Sequence, residues 1–180
     1  MIRPGKNAEV REVRLQRLAR KIQELAGKDS DLARQTMEMM AVRRKAAVDL
    51  YRTCALVTND LNGLLPRSEV ILDPPEFSEG GFLEDSTNLL QINVRGRLLQ
   101  ISYSATGEMV STEDFRIPYI LEGAVRGFNQ QLLEKDLIEE QLLFYTVEKE
   151  GRMWRYFDPR TYRSGPFDEE YLLGLLDQVL

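Results

Sequence analysis

Leu90-Gln91-Ile92-Asn93-Val94-Arg95-Gly96-Arg97-Leu98-Leu99-Gln100-Ile101-Ser102-Tyr103 is the stretch that decides the fold. Leu90, Ile92 and Val94 alternate with Gln91 and Asn93; beyond Arg95-Gly96, Leu99, Ile101 and Tyr103 alternate with Gln100 and Ser102. A period of two residues is the signature of a strand, and a short glycine-bearing break between two such runs is hairpin chemistry. Ala105-Thr106-Gly107-Glu108 reads as a second turn into a third strand running towards Ile117, which makes an antiparallel meander.

Beyond the meander, Pro118 precedes an expected helix over Tyr119 to Asp136, with Leu121, Val125, Phe128 and Leu132 as the face that covers the sheet. Gly123 and Gly127 lie four residues apart in it, and each costs about 1 kcal/mol of helix stability relative to alanine, so a close packing contact is expected there. Leu142 to Val147 is apolar at nearly every position, as in a strand buried on both faces. Lys149-Glu150-Gly151 turns into a strand at Met153 to Phe157, a loop runs to Phe167, and a terminal helix spans Asp168 to Leu180 with Tyr171, Leu172, Leu175, Leu176 and Val179 inward.

On the other side of the hairpin, residues 66–88 form an acidic connector punctuated by Pro66, Pro74, Pro75, Gly80 and Gly81, with a short strand at Val70 to Leu72. Before it, Ala47, Leu50, Tyr51, Cys54, Val57, Leu61 and Leu64 recur at mostly helical spacing and should pack on the globular part. Leu15, Leu18, Ile22 and Leu25 repeat at 3-4-3 spacing among Arg14, Arg17, Arg20 and Lys21. Gly27 followed by Lys28-Asp29-Ser30-Asp31 reads as a helix end and a new N-cap. Continuing the heptad would put Asp29, Thr36 and Arg43 on the seam, so two helices are expected rather than one.

The fold class that follows is α+β: an N-terminal arm of two helices, then an antiparallel sheet of about five strands with helices packed beside it. The expected domains are a basic helical arm over 1–44 and an acidic α+β domain over 45–180, the latter divided into helix 45–65, connector 66–88 and strands with helices over 89–180. Counted from the second N-terminal helix, the order helix, three strands, helix, two strands, helix resembles the layout of type III secretion chaperones and their relatives. The resemblance lies in the order of elements over about residues 44–180 and carries no residues across; it implies an acidic dimer that binds other proteins.

Charge sharpens the division. Residues 1–53 hold 13 Lys/Arg against 7 Asp/Glu, whereas 54–180 hold 11 against 22. A basic arm on an acidic body suits binding, including binding to another copy. There is no histidine, which removes the commonest general base and metal ligand, so neither a catalytic set, a metal site nor a cofactor is expected. Cys54 stands alone, which agrees with a reducing cytoplasm, and no apolar run approaches the roughly 18 residues that span a bilayer.

Two candidate sites emerge. Leu15, Leu18, Ile22 and Leu25, flanked by Arg14 and Arg17, form a partner-binding face, with a homo-oligomer as the first expectation. Phosphate contacts from the same basic arm to a nucleic acid are the alternative, although interleaved aromatics are missing. Arg152, Arg155, Arg160 and Arg163 around Trp154 could seat an anion, as in an enzyme or sensor, because guanidinium forks grip carboxylate and phosphate. The ordinary account is that Trp154 faces the core and the rest are turns. The acidic pairs Glu84-Asp85, Glu113-Asp114, Glu139-Glu140 and Glu169-Glu170 lack calcium-loop spacing and read as solvated or helix-starting charge.

Overall fold

The computed structural model describes residues 6–129 and 134–180, and divides the chain into two compact units, Met1–Met40 and Ala41–Leu180. Helix α1 (Lys6–Leu64) is continuous, in place of the two helices expected from the sequence. Two of the polar residues that suggested a break bond within the helix. Asp31 pairs with Arg34 at 3.1 Å one turn on, and the Thr36 hydroxyl donates back to the Leu32 carbonyl at 2.9 Å. Asp29, Ser30 and Asp31 are exposed, so helical geometry leaves no buried polar group there, and Gly27 costs only its propensity.

The second unit is a seven-stranded antiparallel sheet whose spatial order equals chain order: β1 (Val70–Asp73), β2 (Asn88–Val94), β3 (Arg97–Val110), β4 (Tyr119–Asn129), β5 (Glu134–Glu148), β6 (Gly151–Asp158) and β7 (Arg163–Pro166). The α+β class and the hairpin therefore hold, with seven strands rather than five. The hairpin register pairs Leu90 with Ile101 and Ile92 with Leu99, and Arg95 and Gly96 turn with positive φ of 52° and 90°. Leu143, Phe144 and Tyr145 in β5 are all buried, as expected of an interior strand covered on both faces.

The principal correction is Tyr119 to Asp136, which is not a helix. Its first part is β4, and Leu132 lies outside the described residues. Leu121, Gly123, Val125 and Gly127 face one way, while Glu122, Ala124 and Arg126 face the other, a period of two that suits a strand between the long neighbours β3 and β5. The glycines do serve close packing. A Cβ on Gly123 would strike the Ser102 carbonyl and lie 2.9 Å from the Tyr103 Cα, and one on Gly127 would lie 2.7 Å from the Val179 Cγ2. With a strand in that place, the element order that resembled the secretion chaperones is gone. The turn expected at residues 105–108 is likewise an irregularity inside β3, between Ala105 and Val110.

Both helical segments of this unit cover one face of the sheet. From α1, Ala46, Ala47, Leu50, Cys54 and Val57 are buried; Leu64, the last of the expected stripe, is 86% exposed. Helix α2 (Glu169–Val179) opens with Asp168 accepting from the Tyr171 amide at 2.9 Å, and buries Leu172, Leu175, Leu176 and Val179. The Tyr171 ring lies flat on that of Tyr156 at 3.7 Å. The acidic connector is fastened by two asparagines: the side-chain Oδ1 of Asn62 accepts from the Glu69 and Val70 amides, and the side chain of Asn88 binds both the amide and the carbonyl of Leu83.

Candidate functional site

The arm places its apolar residues in solvent. Leu15, Leu18, Ile22, Leu25 and Leu32 are between 46% and 65% exposed on α1, and Arg14 and Arg17 beside them are exposed too. The residues expected to form a partner face therefore lie on one side of one helix, and the uninterrupted helix continues that side to Leu32 and Met39, which the two-helix reading cut off. In heptad terms, Leu15, Ile22, Asp29 and Thr36 take the a positions and Leu18, Leu25, Leu32 and Met39 the d positions. A solvated helix depends on packing for most of its stability, so such a stripe is chemically suited to receiving another helix.

The second unit carries a different surface. On the sheet face opposite the helices, the 111–118 segment brings Phe115 beside Phe144, ring centroids 4.5 Å apart, and Tyr119 and Phe157 complete a buried aromatic cluster. This cluster walls a groove of about 540 Å³, which also meets Asp114 and Glu122. Burial, helped by the neighbouring Glu122 carboxylate, pushes the Tyr119 phenol above its ordinary value. The groove offers an aromatic wall and two exposed carboxylates, which can receive an apolar stem carrying positive charge. Sequence reading missed it because its four aromatics come from separate strands and a loop; the spacing of Phe115 and Tyr119 around Pro118 was the available signal.

The four arginines of the 152–163 segment are not gathered into one cradle. Arg152 and Arg155 have opposite parity on β6, so they leave the sheet on opposite faces. Arg155 pairs with Glu148 at 3.2 Å, and Arg160 pairs with Glu139 and, at 3.6 Å, with Asp158. Asp158 accepts from the Arg160 amide and the Thr161 hydroxyl, and these bonds hold its carboxyl below the usual range. Arg163 sits in register with Asp158 on β7. Trp154, at the centre of the segment, faces the core.

Cys54 is buried, and burial pushes its thiol up to about 12. A thiol so disfavoured as thiolate is a core residue rather than a nucleophile. Among the described residues, no group of three or more His, Cys, Asp or Glu is placed to hold a metal ion, and no helix is long and apolar enough to cross a membrane. No family model, curated protein or solved structure matches this chain.

Proposed function

We propose that this chain is a non-enzymatic protein-interaction module that self-associates through its N-terminal helix and offers its acidic domain to a protein partner. The observation that carries the reading is the exposed stripe Leu15, Leu18, Ile22, Leu25 and Leu32, which runs along one side of one helix with Asp29 as its polar interruption. Stripes of this spacing are the ordinary seam of a coiled coil, and leaving one in water forfeits about 1.5–3 kcal/mol for each large side chain that burial would recover. The buried free thiol of Cys54 is compatible with a reducing compartment, and a cytoplasmic setting belongs to this reading.

The test is the mass in solution. Light scattering of the full chain should give a multiple of the chain mass, and Leu18→Asp with Ile22→Asp should return it to the monomer while circular dichroism keeps its sheet signal. A parent protein that is already monomeric across the micromolar range overturns the proposal. Retention on nucleic acid that weakens steeply with salt, in a protein whose mass is that of a monomer, would favour the basic arm as a phosphate-binding element instead.

A further inference from the structure

The seam has two unlike flanks. With Leu15 at a, the g positions are Arg14, Lys21 and Lys28, whereas the e positions are Ala19, Ala26 and Ala33, and all six residues are exposed. One border of the stripe is thus basic three times in succession, and the other is small three times in succession. We propose that the seam closes on a second copy of this chain in parallel, in-register orientation. This rests on the self-association read above and specifies its geometry.

The argument is charge and shape complementarity between two copies. In a parallel pair each g residue faces the e residue five positions on in its partner, so Arg14 meets Ala19, Lys21 meets Ala26 and Lys28 meets Ala33. Across these flanks no like charges oppose each other, and the aliphatic stems of the basic residues lie across the space that alanine leaves. In an antiparallel pair g faces g, which sets Arg14, Lys21 and Lys28 of one copy against the same basic row of the other. Opposed like charges destabilise, so the flanks select against that arrangement.

The polar residue at the middle of the seam agrees. In a parallel pair an a-position side chain enters a hole bordered by the partner's a residue and the g residue just before it. Asp29 therefore meets the Lys28 of its partner, and the second Asp29 meets the first Lys28, giving a layer of two carboxylates and two ammonium groups with no net charge. The paired Asp31 and Arg34 lie off this layer and are both mostly solvated. Asp29 is the one charged residue among the a positions Leu15, Ile22, Asp29 and Thr36, and a polar a position sets register at some cost in stability, which is what a seam of only moderate length needs in order not to slip.

The experiment is symmetric cross-linking in the full chain, with Leu18→Cys and Leu32→Cys made separately and Gln16→Cys as an outer-face control. The two d positions are about 21 Å apart along the helix. In the parallel in-register pair both bring a cysteine onto its own copy, so mild oxidation with oxidised glutathione should convert most of each variant to a disulfide-linked dimer; Gln16→Cys and the parent, whose Cys54 is buried, should stay largely uncross-linked. In an antiparallel pair a residue meets itself only at the centre of the overlap. Cross-linking of one d variant or neither, in a protein whose light scattering still reports a dimer, overturns the orientation and leaves self-association standing. A monomer mass for all forms removes both.

Discussion

The indole Nε1 of Trp154 donates to the backbone carbonyl of Ala46 at 2.8 Å, joining β6 to the buried half of α1 across 108 positions of sequence. The same ring meets Tyr103 and Tyr145 edge-on, at 5.5 Å and 5.4 Å between centroids. One side chain thus anchors the helix to three adjacent or near-adjacent strands of the sheet.

Trp154→Phe keeps an aromatic ring but removes the donor and part of the buried area. A loss of about 1–3 kcal/mol is expected, read as a lower urea midpoint by circular dichroism. In the parent, the only tryptophan should emit as a buried indole and shift to the red on unfolding, in the same transition.

Arg43 is 6% exposed and donates to the carbonyls of Ile120 and Thr106 and to the Glu84 carboxylate, the last at 2.5 Å. The other Glu84 oxygen is buried without a partner, so Arg43 is its only compensation among the described residues. Arg43→Ala should cost about 3–5 kcal/mol because a partly buried carboxylate and two carbonyls are stranded together. Arg43→Lys should recover only part of that, since an ammonium cannot span three acceptors as a planar fork does. Thermal melts of the two variants beside Arg43→Met with Glu84→Leu check the point: the double change should lose less than Arg43→Ala.

Gly123 and Gly127 should respond differently to alanine. At Gly123 the obstruction is backbone, the Ser102 carbonyl and the Tyr103 Cα, and neither can move without shifting β3. At Gly127 the nearest atoms are side-chain carbons of Val179 and Ile138, 2.7 Å and 3.0 Å away. Gly127→Ala should therefore cost about 1–3 kcal/mol and combine less than additively with Val179→Ala, while Gly123→Ala should lose more and gain nothing from that second change. Urea denaturation of the parent, the three single variants and the two double variants separates the cases.

Alkaline pH should weaken the fold. The Cys54 thiol is raised from 9.0 to about 12, and burial also raises Tyr103 and Tyr171, the last with help from Tyr156. These groups bind their protons more tightly when folded, so their contribution is complete below the unfolded values and is lost as pH rises through the folded ones. Stability should hold to about pH 9 and then fall by roughly 1 kcal/mol per pH unit for each group that ionises only on unfolding. Denaturation midpoints between pH 8 and pH 11 test this, and Cys54→Ala should make the initial decline shallower.

The readable parts of the fold were those where one local signal stood alone. The alternation over Leu90–Tyr103 allowed no other element, and the apolar face of α2 followed Asp168, which proved to be its cap. The Tyr119–Asn129 segment carried two signals at once. Leu121, Val125 and Phe128 fit a helical face, while Glu122, Ala124 and Arg126 fit the outer face of a strand, and the pairing demand of β3 and β5 decided between them. Near Gly27, capping chemistry was present, but nothing tertiary required the chain to turn, and backbone hydrogen bonding continued through it. The apolar stripe on the arm was legible because it is local, whereas the aromatic groove was not, because Phe115, Phe144 and Phe157 meet only after the strands pair.

The sheet's outermost strands are its shortest, β1 and β7 at four residues each. One runs into Pro74, and the other begins at an exposed Arg163 and ends at Pro166, so each rim presents few free amide and carbonyl groups, interrupted by residues that cannot donate or that carry charge. Such borders resist the strand-to-strand stacking that turns open sheets into fibrils. Growth of the sheet by backbone pairing at either rim is thereby disfavoured, whatever the exposed helix meets.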